Sequence, residues 1–212
     1  MSTEARLREG LVATGASLYN RGLTHGSTGN ISVALPDGGW LMTPTGSSLG
    51  ALDPARLSRL DASGRLLSGD APTKESVLHS AMYAQRAGTG AVVHLHSTHS
   101  VAVSCLDGLD PADALPPITA YYVMRVGALA LAPYHAPGDE KLAAAVAALA
   151  GRHHAILLAN HGPVVAGATL AAASDAIEEL EAPARLVLLL RGERVRTLTA
   201  ADVADLRQKF NL

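Results

Sequence analysis

Apolar positions recur with a helical period at the start of the chain and with a period of two soon afterwards. Leu7, Leu11 and Leu18 fall on one face of a helix predicted over Glu4–Arg21, and Gly22 ends it. Ile31-Ser32-Val33-Ala34-Leu35 alternates, Pro36-Asp37-Gly38-Gly39 turns, and Trp40-Leu41-Met42-Thr43 returns, which predicts a β-hairpin. Asp53-Pro54 reads as an N-cap followed by proline at the first position of a short helix. A second hairpin is predicted from Arg59-Leu60-Asp61 and Arg65-Leu66-Leu67, turning through Ala62-Ser63-Gly64. Thr73 caps a helix predicted from Glu75 to Ala87, with Val77, Leu78, Ala81 and Met82 as its apolar face.

In the second half, Ala91–His96 is predicted as a buried strand, Ser97–Leu106 as a helix, and the Asp- and Pro-rich stretch Asp107–Pro117 as loop. Val126–Ala132 is predicted extended, Asp139–Ala150 helical, and Ala155–Ala159 a strand that His161-Gly162 interrupts before Val164-Val165-Ala166 continues the sheet. A long helix follows from Thr169 to Leu190, with Pro183 as a kink. Thr199-Ala200-Ala201-Asp202 has the form of a capping box, with Asp in place of Glu, at the head of a last helix. Hairpins recurring between helices predict an α/β fold with a mixed, mainly antiparallel sheet and helices on its faces, rather than a doubly wound nucleotide fold. With no linker, repeat or low-complexity tract, residues 1–212 are expected to form a single domain.

Composition narrows the function classes. The chain is 48% hydrophobic with a mean hydropathy of +0.19, yet no apolar run approaches the roughly 18 to 20 residues that span a bilayer, so no membrane is expected as partner. The N-terminus has neither a basic segment nor an apolar one, and Cys105 is the sole cysteine; together these lead to an expectation of the cytoplasm. A net charge of -2 without a basic cluster argues against nucleic acid.

The chemistry lies in a few short motifs. His94-Leu95-His96 places two imidazoles on one face of a predicted strand, and His161 in Asn160-His161-Gly162-Pro163 stands at the end of another. Three neutral imidazoles suit zinc and leave a coordination position open, although spacing alone equally allows three separately hydrogen-bonded histidines. His25, His79, His99, His135, His153 and His154 make poorer ligand candidates. His25-Gly26-Ser27-Thr28-Gly29-Asn30, Thr43-Pro44-Thr45-Gly46-Ser47-Ser48 and Pro72-Thr73-Lys74-Glu75 are polar loops able to offer N–H groups and hydroxyls to an anion, and each alone is also compatible with an ordinary turn or cap. Glu75, in the first turn of its helix, either complements the helix dipole or serves as a general acid/base beside a metal and an anion site.

Taken in order, His25-Gly26-Ser27-Thr28-Gly29-Asn30, Thr43-Pro44-Thr45-Gly46, Lys74-Glu75, His94-Leu95-His96 and Asn160-His161-Gly162 resemble the class II aldolase/adducin family over about Leu7 to Leu190. The resemblance implies a three-layer α/β/α fold with sites between the subunits of a homotetramer. It implies Zn2+ held by His94, His96 and His161, with Glu75 as the acid/base residue that also touches the metal in the resting site. It implies a phosphate pocket from Asn30, Thr45, Gly46, Thr73 and Lys74, and a small phosphorylated sugar acid as substrate. Thr73-Lys74-Glu75 departs from the Ser-Ser-Glu of the fuculose phosphate aldolases. Together with Pro44–Gly50, His94–Ser100 and Tyr121-Tyr122-Val123-Met124-Arg125, it is more similar to the members that decarboxylate 3-oxo-tetronate 4-phosphates. Tyr121 and Tyr122 are candidate substrate contacts. A sugar phosphate aldolase is the alternative within the family, and a non-catalytic adducin-like assembly module the alternative of another class, disfavoured by the intact His94, His96, His161 and Glu75.

Overall fold

The computed structural model describes residues 2–210. Helix α1 (Thr3–Asn20) leads into strands β1 (Asn30–Ala34), β2 (Trp40–Met42), β3 (Ser58–Leu60) and β4 (Leu66–Ser68). Helix α2 (Ser76–Gln85), β5 (Ala91–His94), α3 (Thr98–Ser104), α4 (Ala120–Arg125) and β6 (Ala130–Ala132) follow. The chain continues through α5 (Glu140–Ala150), β7 (Ala155–Leu158), β8 (Gly162–Gly167), α6 (Leu170–Leu189) and α7 (Ala200–Phe210). The eight strands form one sheet in the order β4-β3-β2-β1-β5-β8-β7-β6, antiparallel throughout except for the parallel β6–β7 pair. The predicted mainly antiparallel sheet is what the chain builds.

Strand alternation sorts the core onto two faces. Ile31, Val33, Ala91, Val93, Leu157 and Val165 pack with Leu11 and Leu18 of α1 and Ile177 and Leu180 of α6. Val92, Ile156, Leu158, Val164 and Ala166 pack on the other side with Leu78 and Met82 of α2 and Leu142 and Val146 of α5. The result is three layers, helix on sheet on helix. Period two also fixes where polar strand residues go: with Ile31 and Val33 facing α1 and α6, Asn30 and Ser32 face α2.

Several elements differ from the sequence expectation. Asp53-Pro54 opens only a turn, in which Asp53 Oδ1 accepts from Ala55 N–H at 2.9 Å, because Arg56 is already bonded to the segment ahead of α2 (Asp70 N–H to Arg56 O, 3.0 Å) and Ser58 begins β3. A 3-10 turn at Leu49–Ala51, with Ser48 Oγ accepting from Gly50 N–H, comes just before it. In α2 the buried face is Leu78, His79 and Met82, while Val77 is 36% exposed; a histidine occupies a core position. The Thr73 hydroxyl accepts from Glu75 N–H at 3.3 Å, but Glu75 itself is the N-cap. Helix α4, capped by Thr119 Oγ1 on Tyr122 N–H at 3.1 Å, was not predicted. The extended segment at Val126–Ala132 shrinks to the three residues of β6, and β5 stops at His94. The capping box at Thr199 forms as predicted, with Asp202 Oδ2 accepting from Thr199 N–H at 2.8 Å.

Candidate metal centre

The central strands β1, β5 and β8 converge on one end of the sheet, and four side chains meet there. His94, the last residue of β5, is fully buried, and its Nδ1 donates to Pro163 O at 2.8 Å, which leaves Nε2 as the free nitrogen. His96 lies two residues beyond the strand, with Nε2 at 3.1 Å from His94 Nε2 and 3.1 Å from His161 Nε2. His161 stands on the tight turn between β7 and β8. Asn160 there adopts φ 53°, a left-handed conformation that asparagine tolerates, and Ser104 holds the turn through Asn160 N–H to Ser104 O and His161 N–H to Ser104 Oγ. Gly162 is required by close approach: a Cβ would sit 2.5 Å from Leu95 O.

Glu75, at the head of α2, completes the group. Its Oε1 lies 3.1 Å from His161 Nε2 and its Oε2 3.5 Å from His94 Nε2, while Asn30 Nδ2 donates to Oε2 at 2.8 Å. One ligand atom from each of Glu75, His94, His96 and His161 lies within 4.8 Å of the others. Burial pulls His94 down to about 4 and lowers His96 as well, so both are neutral imidazoles at pH 7. Burial opposes ionisation of Glu75, but His94, His161 and the Asn30 amide outweigh it and hold the carboxyl well below the usual carboxylate range. Three imidazole nitrogens therefore face one another about a carboxylate, and lone pairs at 3.1 Å repel unless a proton or cation lies between them. Among the described residues Glu75 Oε1 is a buried acceptor with no hydrogen-bond partner, as a carboxylate reserved for an ion would be. The donor set of three nitrogens and one oxygen fits a borderline-soft divalent metal.

Beside this centre, two of the polar loops are joined edge to edge. Thr45 N–H donates to Ala71 O at 2.9 Å, Thr73 N–H to Thr43 O at 3.3 Å, and Pro44 and Pro72 form an antiparallel bridge. Thr45, Gly46 and Lys74 are exposed, Thr73 is buried, and Gly46 takes φ 70°. Asn30 belongs to the inner wall: its Nδ2 reaches Thr73 Oγ1 at 3.3 Å as well as Glu75. Tyr122 is fully buried, and its hydroxyl donates to Asp113 Oδ1 at 2.9 Å, so the core occupies it; Tyr121 is 61% exposed beside Arg125 and Asp175. Other histidines have partners elsewhere: His99 Nδ1 with Glu181, His153 with Ala128 O, and His154 with Ala166 O.

A buried group behind Glu75 was not anticipated. His79 contacts Asn30 and Ser32, and Ser32 contacts Tyr83. The signals for it were a serine inside the apolar run of β1 and a histidine one turn after Glu75.

The model for the class II aldolase and adducin N-terminal domain matches residues 9–188. The chain belongs to the class II aldolase and adducin family. Within that family it is 50% identical over 206 residues to a 3-oxo-tetronate 4-phosphate decarboxylase of Pectobacterium atrosepticum, covering 97% of this chain and 94% of the relative. It is 32% identical over 209 residues to an L-fuculose phosphate aldolase of Escherichia coli, covering 97% and 94%. A crystal structure of an Escherichia coli protein described as a candidate aldolase/epimerase/decarboxylase superposes with a TM-score of 0.95 at 48% identity, over 97% of this chain and 100% of that one. The class II aldolase fold thus carries, in this member, a Glu/His cluster able to bind a metal ion.

Proposed function

We propose that this chain is a metal-dependent carboxy-lyase that converts a 3-oxo-tetronate 4-phosphate into dihydroxyacetone phosphate and CO2. The observation that carries the reading is the convergence of Glu75, His94, His96 and His161 within 4.8 Å. The half-identical decarboxylase of Pectobacterium atrosepticum selects this reaction over the aldol cleavage of the more distant relative.

The ion we assign is Zn2+, held by His94, His96 and His161, with Glu75 touching it at rest. Once bound it supplies Lewis-acid stabilisation of the charge that develops on the substrate oxygens. The remaining work falls to the chain. Thr45, Gly46, Thr73 and Lys74, backed by Asn30, hold the phosphate end through backbone N–H groups, hydroxyls and the lysine charge. Loss of CO2 breaks the bond between carbons 1 and 2 and leaves its electron pair in an enediolate; Glu75 relays a solvent proton to carbon 2, which gives dihydroxyacetone phosphate. Tyr121, the exposed member of the tyrosine pair, meets substrate across a subunit boundary. We also assign residues 1–212 to one domain that works in the cytoplasm as a homotetramer; sedimentation at a single chain mass would remove the tetramer.

The deciding experiment is a substrate panel on purified, zinc-loaded protein, scoring CO2 against aldehyde. Release of CO2 from 3-oxo-tetronate 4-phosphate is expected. Aldehyde from L-fuculose 1-phosphate without any decarboxylation would make the chain an aldolase, and no turnover of either would leave the assembly module. Absence of metal by elemental analysis would sink the zinc assignment.

A further inference from the structure

Behind Glu75 runs a buried chain of hydrogen bonds whose direction is set from the carboxylate end. Glu75 Oε2 only accepts, so the group 2.8 Å away on Asn30 is its Nδ2, and the Asn30 oxygen is turned toward α2. That oxygen lies 2.5 Å from His79 Nε2, which must therefore carry a proton. His79 Nδ1 is then left as an acceptor for the Ser32 hydroxyl at 2.7 Å, and Ser32 Oγ in turn lies 3.0 Å from Tyr83 OH. The far end is anchored as well, since the Tyr83 ring stacks on Trp40 with centroids 5.4 Å apart.

His79 is fully buried on the face of α2 that otherwise holds Leu78 and Met82. Its buried neighbours on that face are apolar, and burying an imidazole costs free energy unless both nitrogens are satisfied. Here both are. Burial pulls its pKa down to about 3, which keeps the ring neutral and able to donate and accept at once.

We propose that His79 is a positioning residue for Glu75: by donating Nε2–H to Asn30 Oδ1 it locks the Asn30 amide with Nδ2 on Glu75 Oε2, which leaves Oε1 free for the reaction. Glu75 Oε2 and Thr73 Oγ1 both take up the nitrogen end of the amide, and only His79 holds its oxygen end; without His79 that oxygen is a buried acceptor with no partner to keep the amide in place. A flipped amide sets an oxygen against Oε2 and drives the carboxylate out of place. The proposal rests on the assignment of Glu75 as the proton relay.

Two measurements test it. On metal-free, 15N-labelled protein at pH 7, long-range imidazole correlations should place the His79 proton on Nε2 and leave Nδ1 bare; a proton on Nδ1, alone or in addition, overturns the proposal. In kinetics, His79→Leu should lower kcat about 10- to 100-fold at nearly constant KM, the size typical of losing an outer-shell partner. His79→Gln, whose amide nitrogen reaches the Nε2 position, should recover most of that loss. In an Asn30→Ala background His79→Leu should cost nothing further; equal losses in both backgrounds, or no rescue by Gln, overturn the proposal. If His79→Leu does not fold, His79→Asn replaces it, because asparagine reaches only the Nδ1 position. Should Glu75→Gln keep full turnover, the relay assignment falls by itself, while the imidazole correlations still report whether His79 holds the amide.

Discussion

Glu75 is set apart from the other carboxylates by what surrounds each of its oxygens. One accepts from Asn30 and the other has no hydrogen-bond partner among the described residues. Glu75→Gln keeps the shape and the metal-facing oxygen but loses the exchangeable acid, so metal content by elemental analysis should stay near wild type while CO2 release falls by about 10²-fold or more. Retained turnover would take Glu75 out of the chemistry. His79 makes a separate prediction about stability. Its folded pKa of about 3 lies below the ordinary 6.5, so its contribution is full above pH 6.5 and is lost as pH falls toward 3, where the unfolded chain binds the extra proton. The loss is about 1.4 kcal/mol per pH unit within that window. Urea denaturation of metal-stripped protein at pH 6.5, 5.5 and 4.5 should give a slope shallower by about one proton in His79→Gln than in wild type, and equal slopes would contradict it.

At the scale of elements, the turn between β7 and β8 sets the geometry of the centre more than either strand does. Gly162 lies against the backbone between His94 and His96, so a methyl group there pushes His161 away from both. Gly162→Ala should cost about 1–3 kcal/mol by denaturant melts and weaken metal binding by calorimetry at least tenfold; wild-type affinity would show that the turn has slack. Much of this level was legible in the sequence. The two hairpins, the His94-Leu95-His96 pair, the starts of the helices at Asp139 and Thr169 and the capping box at Thr199 are written in neighbouring residues. What stayed hidden depended on distant partners. The short helix expected at Asp53-Pro54 gives way to a turn because Arg56 O accepts from Asp70 N–H, α4 forms where Tyr122 meets Asp113 and the core, and the buried face of α2 rotates to carry His79 toward β1. The role of Asn30 against Glu75, rather than against an anion alone, was equally unreadable before β1 and α2 were placed side by side.

Across the whole molecule, the four donors come from α2, the end of β5 and the β7–β8 turn, segments far apart in sequence that only the complete sheet brings together. Their family resemblance was visible as ordered motifs, but their convergence is a property of the strand order β1-β5-β8. Three of the four donors are also fixed by the protein alone: His94 by Pro163, His161 by the Ser104-held turn, Glu75 by Asn30. The two large cores lie on either side of the sheet and owe nothing to the centre. Chelation should therefore leave far-UV circular dichroism unchanged while lowering the melting temperature, and added Zn2+ should raise it again with concentration; collapse of secondary structure on chelation would contradict this. The joined loops Thr43–Thr45 and Ala71–Thr73 carry a mechanical consequence. Because the loop we assign to the phosphate and the backbone leading into Glu75 share hydrogen bonds, a ligand's grip on one would stiffen the other, and inorganic phosphate alone should slow amide exchange at both Thr45 and Thr73. On the proposed reading, the remote end of the substrate would thereby steady the residue assigned to its proton.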